Sequence, residues 1–302
     1  MGSVVVTSAV AIFAAQGMHA QQPPAFRAAI ELVSLTVTAT DAGKRHLPDL
    51  TRDEFLVVED GVPQEITFFA KTGVPLASAL LIDSSASMEY GLAAAQDAAI
   101  GFIRQIAPAD LAMVIDFDSH VKTAQGLTGD RALLERAIRM SNAGGSTVLY
   151  DAVYIALREL GRVTRAEDGG TLRHAMIVLS DGEDTSSIMG FDDLLDVAKR
   201  SDTVIYTIGL GSREPPGTRS RDGSWVLRQL ALQTGGRPFF TPSSAELPAV
   251  YADIREELSS QYVIGYESNS RKRDGKWRTI SVRVNRSGVN VRTRPGYYAP
   301  AK

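Results

Sequence analysis

The stretch ALLIDSSAS at residues 79–87 decides the fold. Its first four residues are an apolar run of strand length, and Asp83 follows them directly. Asp83, Ser85 and Ser87 make a D-x-S-x-S pattern, in which a strand supplies a carboxylate and the next loop supplies hydroxyls at alternate positions. In open α/β sheets, ligands bind beyond the carboxyl ends of the strands. The stretch therefore predicts a strand that ends in an oxygen-rich site.

The residues around this stretch predict an α/β unit. From Val74 onward, apolar runs of strand length alternate with segments of helical period, which is typical of a largely parallel sheet. Asp130 is a predicted helix cap, and Ser243 and Glu246 have capping-box spacing before another helix. The predicted strands are residues 79–83, 111–117, 174–180, 204–209 and 237–240.

Both ends of the chain have a β pattern instead. Residues 55–58 and 66–69 are two short apolar runs that we expect to form a hairpin around Asp60 and Gly61. Residues 31–40 near one end, and 262–266 and 280–291 near the other, are also typical of strands. Because neither end has enough strands to be stable alone, we expect the two to pair into one small all-β domain. The predicted β segments are residues 21–75 and 261–302, and they flank an α/β domain at residues 76–260.

Residues 1–20 have the pattern of a secretory signal peptide. Residues 4–15 are an apolar run that is short for a membrane-spanning helix, and Ala20 is a small residue before a cleavage point. The pattern predicts an exported protein (periplasmic, cell-surface or secreted) with no stable membrane span after cleavage. No Lys or Arg precedes the apolar run, and the alternatives are an uncleaved anchor or a disordered tail.

Composition limits the chemistry that the chain can perform. The 302 residues are 44% hydrophobic, which is ample for a sizeable core. The chain has no cysteine and four histidines, which excludes disulfides, thiolate zinc sites and cysteine nucleophiles and disfavours a histidine-rich site. The net charge of −3 gives no general attraction to nucleic acid, so we expect no nucleic-acid partner. A metal bound to this chain would need oxygen ligands.

Two further loops carry residues that would complete such a site. The loop Gly144-Gly145-Ser146-Thr147 precedes a helical segment, and its glycines permit tight backbone near an ion. Asp181 follows the apolar run at residues 177–179 and Ser180, and precedes Gly182. Carboxylates and hydroxyls are hard oxygen ligands that suit Mg²⁺, Mn²⁺ or Ca²⁺.

These three motifs together resemble the von Willebrand factor A (VWA) domain and its metal-ion-dependent adhesion site (MIDAS). The likeness spans residues 74–260 and implies a three-layer, Rossmann-like α/β sandwich with a mostly parallel sheet. It also implies a divalent-cation site whose ligands are Asp83, Ser85, Ser87, Thr147 and Asp181. In the family, the two serines bind the ion directly, the threonine joins in the ligand-bound state, and the aspartates bind directly or through water.

The flanks resemble a narrower group. The stretches LTRDEF at residues 50–55, SQYVIGY at 260–266 and RPGYY at 294–298 are similar to the acidobacterial-type, A-domain-related family of exported bacterial proteins. That resemblance covers nearly all of the predicted mature chain. It implies an architecture more than a function.

We therefore expect a non-enzymatic, exported adhesion or protein-interaction module, whose cation takes a Glu or Asp of a protein partner at its open coordination position. Ser146 is the alternative to Thr147 as the loop ligand, because many relatives read Gly-Gly-Thr. One rival function is a metal-dependent hydrolase with Asp116, Asp118 or Glu183 as its general base. The other is a structural or assembly subunit whose ion only stabilises the fold.

Overall fold

The apolar run that ends at Asp83 forms a strand, β5 (Leu76–Asp83), in which every residue is buried. It lies inside a sheet of the computed structural model, which describes residues 32–71, 74–163, 170–211, 222–270 and 272–301. The predicted signal peptide at residues 1–20 lies outside the described residues.

Within those ranges, helices and strands alternate in the middle of the chain, and strands dominate both ends. The remaining strands are β1 (Leu32–Thr40), β2 (Phe55–Glu59), β3 (Val62–Gln64), β4 (Ile66–Ala70), β6 (Leu111–Phe117), β7 (Val121–Thr128), β8 (Arg173–Ser180), β9 (Thr203–Leu210), β10 (Pro238–Thr241), β11 (Tyr262–Glu267), β12 (Trp277–Val284), β13 (Asn290–Arg292) and β14 (Gly296–Tyr298). The α-helices are α1 (Leu92–Ile103), α2 (Arg131–Arg139), α3 (Leu149–Gly161), α4 (Phe191–Arg200), α5 (Gly223–Gln233) and α6 (Leu247–Ser260).

The central sheet has the order β10-β9-β8-β5-β6-β7 among the described strands. All neighbours pair in parallel except β7, which runs antiparallel to β6 at one edge. The five strands predicted for the α/β part are confirmed, with β5 extending further toward its amino end. Asp130 caps α2 as predicted, because its Oδ1 accepts hydrogen bonds from the backbone N–H groups of Ala132 and Leu133 at 2.9 and 3.2 Å.

Helices cover both faces of this sheet. On one face, α1, α2 and α6 pack through buried residues such as Ile103 and Ile254. On the other, α3, α4 and α5 pack through residues such as Leu157 and Leu230. Each such side chain contributes about 1.5–3 kcal/mol when it leaves water, so the two apolar layers hold the sheet between the helices. The predicted three-layer α/β sandwich is confirmed.

Strands from the two ends of the chain pair with one another. β1 pairs with β11 and β13, β4 pairs with β11, and β2 pairs with β12, all in antiparallel orientation. Two sheets of the described chain, β13-β1-β11-β4 and β14-β12-β2-β3, share a core that includes Leu35, Val57 and Ile280. The α/β part leaves this pair of sheets after β4 and returns at β11, where Ala70 lies opposite Val263.

The predicted hairpin is partly wrong. The turn at Asp60 and Gly61 is present, but β2 pairs with β3, the three residues directly after the turn. Residues Ile66–Ala70 form β4 and pair with β11 in the other sheet. Pro63 fits a short edge strand because it lacks a donor, and the chain changes sheet after Gln64 so that Ile66 enters the shared core.

Candidate metal centre

Asp83 lies at the carboxyl end of β5 with no exposed surface. Its Oδ1 accepts a hydrogen bond from the backbone N–H of Ser85 at 2.9 Å, and its Oδ2 accepts one from Ser180 Oγ at 2.6 Å. Burial raises the pKa of Asp83 to about 6; the Ser180 and Ser85 hydrogen bonds lower it, and the charge of Asp181 raises it. No positive side chain is among these causes, so a bound cation would supply charge that the site lacks.

The serine loop is joined by its backbone to the glycine loop. The N–H of Gly144 donates to the carbonyl of Ser84 at 2.8 Å, and the N–H of Ala86 donates to the carbonyl of Gly145 at 3.2 Å. Gly145 has a φ of +75°, a backbone conformation that side chains with a Cβ rarely adopt. The two loops are therefore held side by side without using the hydroxyls of Ser85 or Ser87.

The two candidate hydroxyls of the glycine loop have different surroundings. Ser146 Oγ donates to Ser119 Oγ at 3.2 Å, and the Ser146 N–H donates to the same oxygen at 3.0 Å. Thr147 is buried, and its hydroxyl forms no hydrogen bond to any described residue. The Ser146 hydroxyl is thus engaged by the loop after β6, whereas the Thr147 hydroxyl has no hydrogen-bond partner among the described residues.

The backbone of Thr147 binds the third loop, which follows β8. Its N–H donates to Thr185 Oγ1 at 3.0 Å, and its carbonyl accepts from the N–H groups of Thr185 and Ser186, both at 3.0 Å. In the same loop, Asp181 Oδ1 accepts the N–H of Glu183 at 3.0 Å. Hydrogen bonds therefore link all three loops that carry the predicted ligands.

The five predicted ligand residues differ in how much of their surface is exposed to solvent. Asp83, Ser85 and Thr147 are buried, Asp181 is half-buried and Ser87 is exposed. Ser85 Oγ and Ser87 Oγ lie 3.1 Å apart. Among the described residues, no three His, Cys, Asp or Glu side chains form a metal-binding group, so hydroxyls are needed to complete a site here. The donors present fit a hard divalent cation.

Two glycines let the Asp181 loop approach α5 closely. Gly182 has a φ of +87°, and a Cβ placed on it would lie 2.6 Å from the carbonyl carbon of Gly223, the first residue of α5. The N–H of Gly182 donates to Ser180 Oγ at 2.9 Å. Ser180 therefore couples the position of Asp83 to the turn that carries Asp181.

Sequence reasoning missed three residues that orient the site: Ser180, Ser119 and Thr185. Ser180 had a local signal, because it directly precedes Asp181 at the end of a buried strand. Its place on the same sheet face as Asp83 follows from the β5–β8 register, which only the structure shows. Ser119 and Thr185 had none, because their partners are 27 and 38 residues away along the chain.

The three candidate general bases are placed differently. Asp116 pairs in register with Ile82, so it lies on the opposite sheet face from Asp83, and its buried Oδ1 accepts no hydrogen bond from a described residue. Asp118 Oδ1 accepts the N–H of His120 at 2.9 Å. Glu183 is exposed in the third loop.

A family comparison places these loops in a known domain. The family profile of the von Willebrand factor type A domain matches residues 79–253, which is more than half of the chain. The chain belongs to the von Willebrand factor type A domain family. The VWA match begins in β5 and ends in α6, so it contains all three loops.

A curated relative of this VWA protein is a UPF0353 protein of Mycobacterium leprae (strain Br4923). It is 26% identical over 228 residues, which cover 68% of this chain and 65% of the relative. The match thus spans somewhat less than two thirds of the length of that relative.

A solved structure shows the same VWA fold. A von Willebrand factor type A protein from Catenulispora acidiphila has a TM-score of 0.52 at 14% identity, covering 82% of this chain and 74% of that chain. Proximal thread matrix protein 1 from the mussel byssus, described with a zinc-occupied MIDAS motif, has a TM-score of 0.48 at 16% identity, covering 61% and 48%. Neither likeness identifies the ligands of this chain. No helix in the described part of the chain is long and apolar enough to cross a membrane.

Proposed function

We propose that this VWA protein is a non-enzymatic interaction module that binds a divalent cation and, through it, an acidic residue of a protein partner. The cation is Mg²⁺ or, by the same donor chemistry, Mn²⁺ or Ca²⁺. Its ligands are Asp83, Ser85, Ser87, Thr147 and Asp181, and the site is a MIDAS.

One observation carries this proposal: backbone hydrogen bonds join the three loops, while the hydroxyls of Ser85, Ser87 and Thr147 form no hydrogen bond to the backbone of any described residue. The first of these loops begins at the buried carboxylate of Asp83. A loop set that served only to cap helices would use its hydroxyls on backbone N–H groups. Here Ser85 precedes a 3₁₀ turn at Ala86–Met88, and its side chain forms no capping hydrogen bond to that turn.

The partner chemistry follows from charge. Three of the five proposed ligands are neutral hydroxyls, and an external carboxylate is a stronger further ligand for a hard dication than water is. VWA domains commonly mediate protein–protein interactions, which agrees with a Glu or Asp on a protein surface. Thr147 is the loop ligand, because the Ser146 hydroxyl is engaged by Ser119.

The wider assignments belong to this proposal as well. Residues 1–20 are a signal peptide that directs export, and the chain is of the acidobacterial-type VWA group. Residues 76–260 form the VWA domain, and residues 21–75 and 261–302 contribute the β segments that flank it.

Metal binding is tested by titrating the full chain with Mn²⁺ and following the electron paramagnetic resonance signal of free Mn²⁺. We expect one site, and at least tenfold weaker binding in Asp181→Asn and Ser85→Ala. Ser146→Ala is the matched control and should bind as the native chain does. Equal binding in all four proteins would refute the metal site.

Partner binding is tested by capture from the exported fraction of the native cell, with Mg²⁺ or with EDTA. We expect a partner that is lost with EDTA and with Thr147→Val but kept by Ser146→Ala. Capture that EDTA does not alter would refute metal-dependent adhesion, and metal that only raises the melting temperature would then favour the structural-subunit function.

A further inference from the structure

A second candidate site lies at the opposite end of the central sheet. A cavity of about 300 Å³ opens where β5 and β8 begin, whereas the candidate metal centre lies where they end. Its wall combines the end of α1, the end of α6 and the start of β11, through Phe102, Ile106, Leu258 and Val263. The amino ends of the strands carry Leu76 and Arg173 into the same wall.

Arg173 is the polar group that marks this cavity. Its Nε donates to the carbonyl of Val74 at 3.1 Å, and its Nη1 donates to the carbonyl of Leu258 at 2.7 Å and to Gln261 Oε1 at 3.1 Å. All these acceptors are neutral, and burial lowers the pKa of the guanidinium. Its Nη2 donates to no described residue. The described hydrogen bonds of Arg173 thus use Nε and Nη1 and leave the two N–H groups of Nη2 without an acceptor among the described residues.

The charge of the cavity is positive. Arg255 also lines it and forms no ion pair with any described residue. The carboxylate among the described lining residues is Asp110, whose two oxygens accept the N–H groups of Leu76 at 2.9 Å and Ala107 at 3.2 Å. Two guanidiniums against one carboxylate leave a net charge of about +1, which a single anion would balance.

The rest of the wall is mostly apolar. Phe102, Ile106, Leu258 and Val263 line the cavity with several alanines, while Gln105, Ser259 and Gln261 add neutral polar groups. A polyanion such as a nucleotide would bury too much charge here, and a cation would meet two guanidiniums. Pockets of this size and character hold a small ligand whose body is apolar and whose orientation is fixed by a few polar groups.

We propose that this cavity binds a small monocarboxylate with an apolar body, whose carboxylate is held by Arg173 Nη2 and by Arg255 and whose body packs on Phe102, Ile106 and Leu258. Arginine suits this task because its guanidinium stays charged and its N–H groups form charge-assisted hydrogen bonds to carboxylate oxygens. The site is separate from the proposed metal centre and does not depend on it.

The test uses the full chain in EDTA, which removes any carboxylate binding at the metal centre. Octanoate is titrated by isothermal calorimetry, with 1-octanol and octylamine as matched probes that keep the apolar body and change the head group. We expect saturable octanoate binding at one site, with octanol at least tenfold weaker and octylamine undetectable.

Variants locate the site. Arg255→Gln should weaken octanoate at least threefold, and Ala109→Trp, at an exposed lining position, should fill the cavity and weaken it at least tenfold. Arg173→Gln should abolish binding, and Ala109→Trp keeps the test decisive if loss of Arg173 unfolds the chain. Arg136→Gln, an exposed arginine on α2, is the matched control. Equal affinity for octanoate and octanol, or unchanged octanoate affinity in Ala109→Trp, would overturn the proposal.

Discussion

Glu257 on α6 is a buried carboxylate that joins the VWA helices to the strands of the chain ends. Its side chain is 2% exposed, and it pairs with Arg292 of β13. It also accepts hydrogen bonds from Tyr206 Oη at 2.6 Å and Thr38 Oγ1 at 3.3 Å. We predict that replacing Arg292 by Met costs more stability than replacing Glu257 by Gln, although both changes break the same ion pair.

The asymmetry follows from what each variant leaves behind. Arg292→Met leaves a carboxylate that water cannot reach, and an uncompensated buried charge of this kind costs about 3–5 kcal/mol. Glu257→Gln leaves an arginine whose side chain is 29% exposed and whose Nε still donates to the carbonyl of Gly235 at 3.1 Å. That cation keeps part of its hydration, so the cost falls to about 1–3 kcal/mol, the penalty of a weakened buried hydrogen-bond set.

Thermal unfolding by circular dichroism and calorimetry measures both costs. One kcal/mol shifts the melting temperature of a domain of this size by about 2–4 °C, so we expect a fall of about 10 °C for Arg292→Met and about half of that for Glu257→Gln. Arg283→Met is the matched control, because Arg283 lies exposed on β12. The double variant should recover part of the loss, since it removes both charges. A larger loss for Glu257→Gln, or a loss for Arg292→Met no greater than for the control, would refute this reasoning.

Three shorter predictions concern the metal centre. The pKa of Asp83 is about 6 in the folded chain against an ordinary value of 3.8, so the metal-free protein should lose stability as pH rises from about 4 through 6. Asp83→Asn removes this buried charge and should therefore stabilise the metal-free chain by about 3 kcal/mol at pH 7, as measured by urea unfolding. An unchanged urea midpoint would contradict the burial of the Asp83 carboxylate. Gly182→Ala should lower the melting temperature, because the new Cβ would overlap the backbone of Gly223 and the backbone at this position has a positive φ. Gly126→Ala is the control, since a Cβ there meets no atom within 4 Å. Equal changes in melting temperature would argue against the close approach of Gly182 to Gly223. Mn²⁺ at a hundredfold excess over the Kd of the native chain should add about 2.7 kcal/mol of stability to that chain. It should add no more than about 1.4 kcal/mol to Asp181→Asn, which binds at least tenfold more weakly, and an equal rise in both proteins would place the ion elsewhere.

The central sheet could be predicted because its signals are local. The apolar runs of β5, β6, β8 and β9 are buried on both faces, so each is continuous in sequence. The sequence does not predict β7, because VKTAQGLT at Val121–Thr128 is an edge strand with many polar residues, none of which is fully buried. The hairpin prediction pairs β2 with β4, whereas β2 pairs with β3 and β4 pairs with β11. The sequence does not show that the chain changes sheet after the three residues of β3.

In the candidate site, some residues also have a local sequence signal and others depend on tertiary contacts. Asp83, Ser85 and Ser87 stand in one short motif, and Asp181 follows a recognisable strand, so these positions could be named from the sequence. The choice between Ser146 and Thr147 depends on Ser119, which approaches only after β6 and the glycine loop are packed together. Contacts of that kind are set by the tertiary fold and leave no local pattern.

The pairing of β4 with β11 has a mechanical consequence. The chain enters and leaves the α/β part through two strands that are hydrogen-bonded to each other, with Ala70 opposite Val263. A pulling force applied to residues 32 and 301 would first load the β1–β11, β1–β13 and β12–β14 ladders, and would pass across the β4–β11 ladder before it reached the central sheet. Under such a force, the hydrogen bonds between the strands of the chain ends would bear the load before the loops around Asp83 do.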